Sequence, residues 1–263
     1  LGRRVPRAKP LLLLVLVLLA GWFVVAWARA GRRAVGRGAA AHAVAGHPGP
    51  FDVAMGFVTD FLDTLGIGSF ATTTTAYRLT ATVDDRWLPG TMNVGHALPT
   101  IVQALVYITI VTVDMTTLVA MIVAAVCGGW FGAGVVAGWP RRTVRQAIGT
   151  ALLVAAAIMS ASALHWLPVG GDDLGLSGAR LLTGVVGNFL LGALMTAGIG
   201  LYGPCMILVS LLGLNPTAAF PIMMGSCAFL MPVGSLRFVQ RDAYDRRAAL
   251  GLTLGGIPGV LVA

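Results

Sequence analysis

The chain has 263 residues, 57% of them hydrophobic and only 11% charged, with a net charge of +8. Soluble domains are about 25% charged, so this composition excludes a water-soluble globule and points to lipid as the solvent. No Lys/Arg stripe with interleaved aromatics is present, so the positive balance reads as loop charge that sets membrane orientation rather than as a nucleic-acid footprint.

The elements follow in chain order. Leu11 to Ala28 is an unbroken apolar run behind Arg3, Arg4, Arg7 and Lys9. Its length, with Trp22 and Trp27 near its far end, fits an uncleaved first helix better than a signal peptide. Arg29, Arg32, Arg33 and Arg37 follow, so both flanks are basic and the helix has no orientation from charge alone. Gly31 to Pro50 is a connector rich in Gly, Ala, His and Arg. Phe51 to Thr80 is apolar but interrupted by Gly66-Ile67-Gly68-Ser69. Thr91 to Val111 and Thr117 to Ala137 are helices, the second with Gly128, Gly129, Gly132 and Gly134 for close packing in lipid. Arg141, Arg142 and Arg145 form a basic loop, and Ala147 to Trp166 is a further helix. Asp172 and Asp173 lie in a loop without bases, expected outside the cell. Leu181 to Gly213 is a second interrupted segment, broken at Gly198 to Pro204. Pro216 to Phe238 is a helix, Arg237 to Arg247 a basic loop, and Ala248 to Ala263 the start of one more helix.

The two interrupted segments are in register. Gly66 corresponds to Gly198, Gly95-His96 to Gly225-Ser226, Asp114 to Asp245 and Gly128 to Gly259, at offsets of 132, 130, 131 and 131. The expected domains are residues 1–50, a membrane helix with its connector; 51–166, a first repeat; and 179–263, a second repeat whose missing counterpart of Gly132 to Trp166 predicts a chain that continues for a few tens of residues. Repeated halves with breaks at matching positions are a sequence pointer to a transporter site. The basic loops end different helices of the two halves, which fits inverted repeats. The expected fold is therefore an all-α polytopic membrane bundle of about seven or eight segments, with a broken or re-entrant helix in each repeat.

A broken helix exposes N–H groups where its second half begins, and with the helix dipole these favour an anion. Ser69 to Thr73 and Tyr202 to Met206 are the candidate half-helix N-termini. The candidate anion-binding residues are Gly66, Gly68, Ser69, Thr72, Thr73, Asn93 and His96 in the first half. In the second half they are Gly198, Gly200, Tyr202, Gly203, Cys205, Ser226 and Cys227. Asp60 and Asp63, three apart on one helix face, and His96 are candidates for coupling to protons or a cation. Asn93 and Gln103 extend a polar stripe along the helix of His96, and Asn188 is similar. Met206, Met223, Met224 and Met231 with Cys205 and Cys227 form a group suited to Cu(I), against ordinary core packing.

The three cysteines, Cys127, Cys205 and Cys227, lie in apolar runs without metal or disulfide spacing. No HExxH or GxSxG is present, so an enzyme is not expected.

Asp63-Thr64-Leu65-Gly66-Ile67-Gly68-Ser69-Phe70-Ala71-Thr72-Thr73, Pro89 to His96, Gly198 to Cys205, Pro221 to Cys227 and Gly255 to Gly259 resemble the TauE/SafE family of sulfite-exporter and toluenesulfonate-uptake permeases. The resemblance covers Phe51 to Ala263. It implies a secondary transporter in the cell membrane that moves sulfite, an organosulfonate, thiosulfate or a related small anion by alternating access. Breaks reading Gly-Ile-Gly-Ser and Gly-Ile-Gly-Leu-Tyr-Gly, rather than Gly-x-Gly-Gly-Gly, place the chain in a divergent branch. The expected partners are the small anion and the bilayer, with a homodimer compatible, no nucleic acid and no cofactor. A soft-metal or thiol-related transporter built on the Cys/Met group is the alternative.

Overall fold

A computed structural model describes residues 8–36, 47–136, 170–195 and 200–263, with isolated positions 146, 150, 153, 157, 160, 161 and 164. Arg37 with most of the first connector, the basic loop at Arg141 to Arg145, Gly198 and Ile199 lie outside the described residues, as does most of the expected helix from Ala147 to Trp166. Among the described residues the structure is helical, and the one β-contact is an isolated bridge between Asp173 and Leu214.

The helices are α1 (Ala8–Gly36), α2 (Pro50–Thr64), α3 (Ser69–Thr80), α4 (Leu88–Ile110), α5 (Met115–Val136), α6 (Gly178–Met195), α7 (Tyr202–Leu211), a 3-10 turn (Pro216–Ala218), α8 (Ala219–Gln240) and α9 (Arg246–Val262). Among the described residues four stretches are long and apolar enough to cross a membrane: Ala8–Arg33, Leu88–Ile110, Gly178–Met195 and Pro216–Gln240. Met115–Phe131 and Tyr202–Leu211 are shorter apolar helices. This is the pattern of an integral membrane protein; the seven or eight segments expected from the sequence include one, Ala147 to Trp166, that lies mostly outside the described residues.

The described chain divides into two interleaved compact units. One holds Val106–Leu230 with the first residues of α1; the other holds Leu12–Leu105 with Met231–Ala263.

In the second of these, α2 and α9 pack at backbone distance. A Cβ on Gly255 would overlap the Val53 carbonyl, one on Gly259 the Phe57 carbonyl, and one on Gly56 the Leu252 carbonyl. Small residues at four-residue spacing are how helices approach closely in lipid, where burial against apolar tails gives no driving force. Pro50 opens α2, where its missing N–H costs nothing. Asp52 in the first turn accepts from the Gly49 N–H at 3.2 Å and from the Tyr77 hydroxyl at 3.2 Å. Tyr77, Val83, Leu88, Ala248 and Leu252 form an apolar cluster beside this pair. Pro99 inside α4 cannot donate to the Gly95 carbonyl. Thr253 of α9 fills the gap, its hydroxyl donating to Gly95 O at 2.7 Å.

In the other unit, α5 and α6 meet in the same manner. A Cβ on Gly128 would overlap the Phe189 carbonyl, and one on Gly192 the Ala125 carbonyl. Asp114 caps α5 by accepting from the Thr117 N–H at 2.8 Å. Asp245 caps α9 from Ala248 at 2.9 Å.

Candidate functional site

The first helix break is formed by Leu65 to Gly68, between α2 and α3. Gly66 and Gly68 have φ of +91° and +88°, a backbone that L side chains rarely adopt. Two positive-φ glycines in quick succession end α2 and restart the chain as α3 at Ser69. The run of four threonines in α3, Thr72 to Thr75, is a poor helix former. Thr72 and Thr75 spend their hydroxyls on their own helix: Thr72 donates to Ser69 O at 2.8 Å and Gly68 O at 3.2 Å, and Thr75 to Ala71 O at 2.8 Å. Back-bonding of this kind is the helical use of Thr in apolar surroundings.

Three helices then place a polar network in the unit that holds α2, α3 and α4. Asp60 and Asp63 on α2, Thr73 on α3 and His96 and Gln103 on α4 are all buried, with at most 1% of each surface exposed. His96 Nδ1 lies 2.9 Å from both carboxylate oxygens of Asp60. On the other side of the ring, His96 Nε2 lies 3.0 Å from the Thr73 hydroxyl. With the carboxylate accepting from Nδ1–H, a neutral His96 accepts the Thr73 proton at Nε2, and a protonated His96 donates there instead. The chain carboxylate–imidazole–hydroxyl therefore has two proton arrangements with no change of heavy-atom geometry.

Asp63 completes the site differently. One carboxylate oxygen accepts from the Ser69 N–H, the first turn of α3. The other accepts from the Gln103 amide at 3.0 Å. The Gln103 nitrogen is also 3.0 Å from the Thr64 hydroxyl and 3.3 Å from the Asp60 carbonyl, and the Thr64 hydroxyl donates to that carbonyl at 2.8 Å. The N-terminus of α3 thus already faces an anion, supplied by the chain itself. Beneath Asp60 lies Gly256 of α9, where a Cβ would overlap the carboxylate and Pro99.

The structure brings Asp60, Asp63, Ser69, Thr73 and His96 into one network. Thr72 and Asn93 bond within their own helices, Asn93 donating to Pro89 O at 2.8 Å. Gln103, on the polar stripe that the sequence shows along the helix of His96, joins the site, two turns from His96 on one face. Thr64 and Gly256 join it without having stood among the candidates.

The second-half residues lie in the other unit. Gly200 and the start of α7 at Tyr202 follow the undescribed stretch at 196–199. No side chain caps α7, and a Cβ on Gly200 or Gly203 would meet nothing within 4 Å. Cys205 is fully buried. Asn188 on α6 donates to Met121 O at 2.7 Å and to the Ser226 hydroxyl at 3.0 Å, while its own Oδ1, fully buried, has no partner among the described residues. Cys227 Sγ lies 3.7 Å from Met195 Sδ. Among the described residues no group of three or more His, Cys, Asp or Glu is arranged to hold a metal ion.

Family models, curated proteins and solved structures were compared with the chain, and none matches it.

Proposed function

We propose that the chain is a multi-pass secondary transporter of the cell membrane, in which the Asp60–His96–Thr73 network carries a coupled proton and the substrate is a small anion. The observation that carries this reading is the network itself. Two carboxylates and an imidazole fully buried among apolar helices are expensive to keep, and ionisable groups inside membrane segments mark proton and ion pathways by default. The hydrogen-bond chain lets His96 take up and release a proton at Nε2 beside the Thr73 hydroxyl, with Asp60 as the counter-charge.

The position of Asp63 links that proton to an anion. Its carboxylate occupies the N–H groups and dipole end of α3 that a substrate anion would use. Protonation of Asp63 withdraws this internal anion and offers the helix end to a solute. A sulfur-containing anion such as sulfite, an organosulfonate or thiosulfate is the substrate class suggested by the resemblance to TauE/SafE permeases.

Two inverted repeats underlie the proposed architecture, and the helix contacts support them. Gly128 on the Phe189 carbonyl and Gly259 on the Phe57 carbonyl are the same contact, displaced by 131 and 132 positions. Gly192 against Ala125 and Asp60 against Gly256 are a second such pair, at the same offsets. At the offset of 132 Asp60 falls opposite Gly192 and Asp63 opposite Met195, and at the offset of 130 that relates Gly95 to Gly225 His96 falls opposite Ser226. None of these three opposite positions carries an acid or an imidazole, so the network is not duplicated there.

Flux into proteoliposomes tests the reading. Radiolabelled sulfite, taurine and thiosulfate are offered with and without an imposed pH gradient. Uptake that responds to the gradient and is lost in His96→Ala is the expected result; no flux of any of the three sinks the substrate class. The soft-metal alternative rests on the sulfur contact between Cys227 and Met195, and tight Cu(I) binding abolished by Cys227→Ser, without anion flux, would favour it.

A further inference from the structure

At the C-terminal end of α1, a groove of about 450 Å³ opens between α1 and the end of α8 with its following loop. Its α1 wall is one helix face: Trp22, Ala26, Arg29, Ala30 and Arg33 recur at turn spacing. The small Ala26 and Ala30 make the floor, and Arg29 and Arg33, four apart, stand over it. The opposite wall is apolar at Leu236 and Val239 and polar at its mouth, where Arg246 donates to Asp242 at 2.9 Å and its guanidinium lies 5.9 Å from the Tyr244 ring. The two walls are tied together by the Trp27 indole, which donates to the Tyr244 hydroxyl at 2.8 Å, and by Arg246, which reaches the Gly31 carbonyl at 3.5 Å.

The groove therefore has three guanidinium groups against one carboxylate at its mouth, and an apolar slot below them. Both walls belong to helices long and apolar enough to span a membrane, and the charged mouth is at their ends, with Trp22 two to three turns deeper along α1. Arginines that only set topology need no concave or aromatic surroundings. Here two of them share a concave face with an aromatic and an aliphatic wall, in a volume of the size that holds a small ligand.

We infer that this groove binds the headgroup of an anionic phospholipid, phosphate against Arg29 and Arg33 and acyl chain along Trp22, Leu236 and Val239. Basic pockets between membrane helices recognise anionic lipids in this way, at the leaflet surface where those lipids concentrate. The site is separate from the acidic network and would stand whether or not the chain transports anions.

Native mass spectrometry of the full chain, released from detergent with equimolar phosphatidylglycerol and phosphatidylcholine, tests it. The expected result is phosphatidylglycerol retained about tenfold over phosphatidylcholine, falling to parity in Arg29→Gln/Arg33→Gln. The control double variant Arg78→Gln/Arg86→Gln, which removes two exposed arginines elsewhere, should keep the preference. Trp22→Ala should weaken retention of both lipids. Equal retention of the two lipids by the unaltered chain overturns the proposal, and needs no variant to fold. Equal loss in the control variant would also overturn it, since bulk charge would then suffice. So would inorganic phosphate raising the melting temperature as much as phosphatidylglycerol does, because the apolar slot would then have no role.

Discussion

His96 Nδ1 sits 2.9 Å from each carboxylate oxygen of Asp60, and neither side chain has any surface exposed. Each group is the other's solvent. Removing either one leaves a buried polar partner unsatisfied, at about 1–3 kcal/mol. His96→Leu and Asp60→Leu should each lower stability by that amount, and the double variant should lose less than the sum of the two. SDS or urea unfolding followed by circular dichroism gives the cycle. Strict additivity would mean the pair does not act as a unit.

Asp63 makes a prediction of opposite sign for binding. Asp63→Asn keeps an oxygen for the Ser69 N–H but removes the charge at the start of α3. If Asp63 competes with the substrate, the variant should bind the anion about fivefold more tightly, in keeping with helix-end charge effects of about 1 kcal/mol, and its affinity should vary less steeply with pH than that of the unaltered chain. Isothermal titration with sulfite at several pH values reads both. Weaker binding in the variant would make Asp63 a ligand for something else.

Gly255 is where α9 lies against the Val53 carbonyl of α2. Gly255→Val should force the helices apart and cost about 1–3 kcal/mol, the range for overpacking. The exposed Leu254→Val on the adjacent face should be close to neutral. A melting temperature unchanged in Gly255→Val would show that the two helices do not meet at this register.

Thr253 answers the carbonyl that Pro99 leaves open. Thr253→Val preserves the shape and removes the hydroxyl, and should cost about 0.6 kcal/mol, the average for hydrogen bonds between membrane helices, and no more than about 1.7 kcal/mol. Thr253→Ser should retain most of it. Pro99→Ala combined with Thr253→Val should recover stability, because α4 then closes its own hydrogen bond to Gly95. A double variant no better than Thr253→Val alone would remove the carbonyl from the explanation.

The first break could be read from Gly66 and Gly68, because positive φ in succession needs residues without Cβ. The caps at Asp114 and Asp245 show in the same local way. Helix ends shifted by a few residues, as at Leu88 and Met115, where fraying and caps rather than hydropathy decide the boundary. What was hidden is long-range. Asp60 and Asp63 share a face by spacing, but that they meet His96 on one side and Gln103 with the start of α3 on the other depends on how three helices pack. No local pattern encodes that. The pairing of α2 with α9 was equally hidden, although Gly251, Gly255 and Gly259 carry its spacing, since small residues at intervals of four do not name their partner. The anion expected at Ser69 was read from backbone donors alone, and the carboxylate six residues earlier in the chain was not placed there.

The pairing of α2 with α9 also sets a clock. About 180 residues separate the end of one helix from the start of the other, so at roughly 5–20 residues per second of synthesis α2 waits on the order of ten seconds or more for its partner. During that interval its glycine face and the carboxylates of Asp52, Asp60 and Asp63 have no α9 to close over them. An early helix with this much acid inserts into a bilayer unaided only at a cost. The nascent chain is therefore exposed to quality-control proteolysis at α2 until α9 arrives, and slowing elongation after residue 64 should lower the yield of intact protein.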